Sequence, residues 1–92
     1  MSDCSKHKKE VAGISDTKIL ARLIVDSHYE WQANLWKEVS NCYKEDSRKD
    51  WKDKKIQLAH RLKNAANNTK VVFTNINDAW QICKPFMETK NQ

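Results

Sequence analysis

The chain is 92 residues long with one Gly and one Pro, and 17 Lys and Arg against 12 Asp and Glu leave a net charge of +5. That length makes one domain, the scarcity of Gly and Pro excludes hairpin-rich β folds and phosphate-cradling glycine loops, and four Trp set it apart from disordered chains of similar charge. What remains is an all-α protein, a small three- or four-helix bundle.

Residues 1–13 read as a flexible basic arm carrying Lys6, His7, Lys8 and Lys9, with Gly13 at its end. It has charges and no apolar h-region, and no stretch of the chain approaches the ~20 apolar residues that span a bilayer, so the expectation is a cytoplasmic protein with no membrane partner. Three cysteines at wide spacings make no disulfide framework and fit a reducing compartment. For the same reason the sequon at Asn67-Asn68-Thr69 reads as part of an Asn-rich turn.

Residues 14–87 form the folded domain. Asp16, or Ser15 before it, is placed to cap a helix whose buried face is Ile19, Leu20, Leu23 and Ile24. Ser27 and Glu30 have capping-box spacing and offer a restart at His28. Against a break, Leu20, Ile24, Trp31, Leu35 and Cys42 hold one continuous stripe, which favours a single long, bent helix from Asp16 to Lys44. Its second half, SHYEWQANLWKEVSNCYK, is apolar around nearly half of the cylinder. Trp31, Leu35, Val39 and Cys42 share one stripe, and Tyr29, Trp36 and Tyr43, seven apart, share the next.

Ser47 is placed to cap the following helix, on which Trp51, Leu58, Leu62 and Ala65 share a face, and Asn67 and Asn68 are placed to end it. Val71-Val72-Phe73-Thr74 alone has strand character, and with no second strand to pair with it reads as an extended connector. A last helix opens at Asn75 or Asn77, holds Ile76, Ala79, Trp80 and Cys83, and ends or kinks at Pro85. Residues 88–92 read as a frayed end.

Catalytic and metal chemistry find little to work with. Cys42 or Cys83 with His28 or His60 is a formal nucleophile and base, but no oxyanion hole or nucleophile elbow accompanies them. Cys4 and His7 have half-site spacing without the paired Cys or His motifs of zinc proteins. The expectation is no enzyme, no metal and no cofactor.

Binding is the better-supported class. Two adjacent apolar stripes are more than one core contact needs, and Trp and Tyr dominate binding hot spots. Tyr29, Trp36, Tyr43 and Gln32 are therefore the candidate protein interface. The function expected is a protein-binding module, an inhibitor or adaptor of a kind common among phage and mobile-element accessory proteins. Its partner is another protein, and heptad spacing also suits a homodimer. The alternative is sequence-tolerant DNA or RNA binding. Between Lys44 and Lys63 eight cations outnumber four carboxylates, and Arg48, Lys49, Lys52, Lys55 and Lys63 are the candidate contacts. Trp51, in line with Leu58 and Leu62, reads as core.

Overall fold

The computed structural model describes residues 7–90. Among them the protein is all-α, with α1 over Thr17–Val25, α2 over Tyr29–Lys52 and α3 over Ile56–Lys90. α2 and α3 run antiparallel and make nearly all the contact between elements, while α1 touches them lightly at the open end. The extents are 56 × 26 × 14 Å: α2 and α3 lie side by side as one layer, and α1 rests on its open end against Trp36. A long hairpin thus replaces the expected filled bundle.

The chain ahead of α1 turns tightly. Val11 and Ile14 exchange both backbone hydrogen bonds (3.0 and 2.9 Å) around Ala12 and Gly13, whose φ angles are 51° and 80°, the twist of a two-residue hairpin turn. α1 then starts at Asp16 as its sequence suggests, the carboxylate accepting from Lys18 N at 2.8 Å and Ile19 N at 3.3 Å. Cys4 and Lys6 of the arm lie outside the described residues.

A single helix from Asp16 to Lys44 does not form. The chain breaks at 26–28, where the Ser27 hydroxyl donates back to Ile24 O and His28 takes the cap of α2, its Nδ1 accepting from Glu30 N at 3.0 Å. The same imidazole packs on Trp80 of α3, ring centroids 4.5 Å apart. A stripe continuous across the break was a coincidence of spacing, because α1 leaves the axis of α2.

α2 passes through Ser47, where a new helix was expected. Ser47 is buried and its hydroxyl donates to Ala59 O across the hairpin, so it caps nothing. The helix stops at Asp53 instead. Lys54 stands at φ 65°, and Lys54 N to Trp51 O (3.1 Å) and Lys55 N to Asp50 O (2.8 Å) complete a left-handed cap without glycine.

α3 is unbroken across the three places where sequence suggested an interruption. Asn67 and Asn68 do not end it, residues 71–74 are helix rather than an extended connector, and no helix restarts at Asn75 or Asn77. Thr69 and Thr74 donate to the carbonyls of Ala65 and Lys70 one turn back, which is how threonine satisfies its hydroxyl inside a helix. Tertiary position overrides the weak propensity of the β-branched run. Pro85 lies within α3, whose last residue is Lys90, and residues 91–92 of the expected frayed end lie outside the described residues.

Small residues join the two long helices. Ala33, Ser40 and Ser47 recur every seven residues on α2, Ala59 and Ala66 do so on α3, and all five are buried. Ser40 Oγ donates to Ala66 O and Ser47 Oγ to Ala59 O, each at 2.7 Å. Seven steps forward on one helix match seven steps back on the other, and the register extends to set Ala33 opposite Phe73. Short side chains let the backbones approach closely, and a seven-residue repeat keeps the seam facing the partner helix along its length.

Candidate functional site

The seam divides the remaining side chains between the two faces of the layer. On an α-helix, residues one and four before a seam position lie to one side of it, and those one and four after lie to the other. Four before Ala33, Ser40 and Ser47 stand Tyr29, Trp36 and Tyr43, and four before Ala66, Phe73 and Trp80 stand Leu62, Thr69 and Ile76. One before the α3 seam positions stand Leu58, Ala65, Val72 and Ala79, and one before the α2 positions stand Gln32, Val39 and Asp46. Apart from Gln32 and, near the turn, Asp46 and Asp50, this is an apolar face. Four after the α2 positions come Lys37, Lys44 and Trp51, and four after the α3 positions come Lys63, Lys70, Asn77 and Lys84. With Arg48, His60, Asn41 and Asn67 one step after the seam, they make a face whose only carboxylate at these helical phases is Glu30, at the open end. Because the helices are antiparallel, the "after" sides of both point the same way.

The cationic face contains a groove of about 630 Å³ near the hairpin turn. Ser47, Ala59 and Ala66 form its floor, and Lys44, Arg48, Lys52 and Lys63 surround it. None of these four cations pairs with a carboxylate among the described residues, where the ion pairs are Arg22 with Asp26 and Lys49 with Glu45. Trp51 stands at one end of the groove, 55% exposed, its ring meeting His60 edge to face with centroids 5.6 Å apart at 90°.

The nucleic-acid candidates are therefore divided. Arg48, Lys52 and Lys63 come together, and Lys44 joins them. Lys49 points elsewhere and is engaged by Glu45 at 3.6 Å. Lys55 is half-buried at the start of α3 and does not line the groove. Trp51 is not core. Spacing along a single helix from Ser47 to Ala66 aligns it with Leu58 and Leu62, but the break at 53–55 resets the helical phase and puts Trp51 on the opposite face.

The protein-interface candidates are also divided. Tyr29 and Trp36 are half-buried and Tyr43 is exposed. Trp36 lies against α1, where with Leu20, Ala21 and Ile24 it bounds an apolar hollow of about 270 Å³. Its indole nitrogen is buried with no hydrogen-bond partner. Gln32 is 4% exposed and its amide donates to Val25 O at 3.4 Å, so it braces the α1–α2 corner and offers no free surface. Exposed apolar side chains on this face of α3 are Leu58 and Val72, with Ile19 and Leu23 on α1, while Trp31, Val71 and Ile82 are exposed away from it.

No thiol is hydrogen-bonded to an imidazole among the described residues: Cys42 is exposed, Cys83 half-buried, and His28 and His60 face tryptophans. No three His, Cys, Asp or Glu side chains converge on a metal-sized site among those residues. No described helix is long and apolar enough to cross a membrane. No known protein family, no curated protein and no solved structure matches the chain.

Proposed function

We propose that this protein is a non-enzymatic protein-binding module that assembles through its apolar face, with a second copy of the chain as the layer that covers it. One observation carries the reading: among the described residues the buried apolar side chains are Ala33, Ala59 and Ala66, and no large side chain is fully buried. The large apolar side chains along the hairpin, Trp36, Leu62, Ile76 and Trp80 among them, are only half-buried, so the apolar surface removed falls short of what orders two long helices.

The shape supports the same reading. The radius of gyration is 16.4 Å, against about 12 Å for a compact chain of this length. Exposed surface is 7790 Å², against about 5,500 Å² for a compact monomer of this mass. That excess exceeds the roughly 800 Å² each partner gives up in a standard interface. A two-fold axis through the apolar face would set Tyr43, Leu58 and Val72 of each hairpin against the other and close a four-helix bundle. Such an assembly presents its outer, cationic face twice, as suits an adaptor.

Sedimentation equilibrium tests this directly. The expected mass is twice 10.8 kDa, unchanged between low and moderate salt because the contact is apolar. Val72→Asp with Leu58→Asp is expected to give monomers with lowered helix content. A wild-type chain that stays monomeric at high micromolar concentration and still unfolds cooperatively overturns the reading.

A further inference from the structure

We propose that the cationic groove is a binding site for single-stranded nucleic acid, with Trp51 as the stacking platform and Lys44, Arg48, Lys52 and Lys63 as the phosphate contacts. This rests on the face opposite the apolar one and stands whether or not the hairpin dimerises.

Three features select the ligand. The first is charge without compensation. Four cations surround the groove, no Asp or Glu lines it, and no carboxylate pairs with them among the described residues. A merely solvated helix surface carries mixed signs, as the far edge of α2 does with Lys49 and Glu45. The second is spacing. Lys44, Arg48 and Lys52 follow one another about 6 Å apart along α2 at 1.5 Å per residue, so they form a row suited to a linear polyanion rather than a cluster around one small anion. Lys37 on α2 and Lys70 and Lys84 on α3 hold the same side of the seam and extend the basic track beyond the groove.

The third is the aromatic ring. His60 meets Trp51 edge to face rather than stacked, and the indole is 55% exposed. A large aromatic side chain open to solvent beside a phosphate-binding row is the arrangement that proteins use to hold unpaired bases, which stack without regard to sequence. Duplex DNA keeps its bases stacked on one another and offers the indole nothing. An acidic protein segment would use the cations but would not need the ring.

Fluorescence anisotropy with a labelled oligothymidylate tests the proposal, beside a duplex of equal length and inorganic polyphosphate as competitors. The expected result is binding at low salt whose log K falls with log salt at a slope of about −3, as four phosphate contacts on a single strand give. Trp51→Leu, which keeps apolar bulk against His60, should weaken binding about tenfold. Arg48→Glu with Lys63→Glu should abolish it. Lys49→Glu, on another side of α2, should leave it within about twofold, and circular dichroism of each variant establishes that the hairpin persists. The proposal is overturned by no binding at low salt, by tighter binding of duplex, by unchanged affinity in folded Trp51→Leu, or by polyphosphate displacing the oligonucleotide at equal phosphate concentration.

Discussion

The hydroxyl of Ser40 donates across the hairpin to the carbonyl of Ala66 at 2.7 Å, and both residues are nearly excluded from solvent. A serine at this position satisfies itself and allows close approach of the two helices. Ser40→Ala retains the approach and loses one hydrogen bond, which is worth about 0.5–1.5 kcal/mol. Ser40→Leu loses both, forcing the backbones apart at a cost of at least about 3 kcal/mol. Thermal unfolding followed at 222 nm should therefore rank the proteins wild type, Ser40→Ala and Ser40→Leu. An equal loss in the two variants would mean that helix proximity is not what the serine provides.

Lys54 closes α2 at φ 65°, a conformation that costs a side-chain-bearing residue about 1–2 kcal/mol and glycine almost nothing. Lys54→Gly should raise stability by about 1 kcal/mol, which for a domain of this size is roughly 4–8 °C in the unfolding midpoint. Denaturant titration gives the value directly, and a midpoint at or below that of wild type contradicts the assigned cap.

Trp36 combines a packing role with a defect, because its indole nitrogen is buried without a partner. Trp36→Phe removes the unsatisfied donor, and the loss of ring volume offsets part of that gain, so stability should change by less than about 1 kcal/mol. Trp36→Ala removes the surface against which Leu20 and Ile24 of α1 lie and should cost about 3 kcal/mol, the low end of the range for a buried Trp because the ring is half-buried. Protection of α1 amides in hydrogen exchange separates the two: retained in Trp36→Phe, lost in Trp36→Ala.

Self-association of the apolar faces makes stability depend on concentration. A tenfold dilution should lower the unfolding midpoint of wild type by several degrees and leave that of a soluble monomeric variant where it was. A midpoint indifferent to dilution speaks against a dimer that forms only as it folds.

The helical class and the cap at Asp16 were legible in the sequence, because each depends on a local signal or on helical spacing. The sequence misled wherever a residue type has two uses. Ser47 looks the same as a helix cap and as a cross-helix donor, and Val71-Val72-Phe73-Thr74 looks like a strand until Phe73 is seen to fall seven after Ala66 and seven before Trp80. The readable signal was the heptad of small residues, Ala33, Ser40 and Ser47 with Ala59 and Ala66. Hydrophobic periodicity gives weight to large side chains, and here the seam is made of the small ones. The position of Trp51 depends on the break at 53–55, without which its phase is carried over from the wrong helix.

The register of the seam also orders events in time. Its two hydroxyl bonds close sequence separations of 12 and 26 residues, the shorter lying next to the turn at 53–55. Chain closure entropy grows with loop length, so Ser47 and Ala59 can meet before Ser40 and Ala66, and each closed step shortens the loop left for the next. Loop closure therefore favours formation of the hairpin from the turn outward, and amide exchange that is fastest in α1 and at the far end of α3 is the expected sign of it.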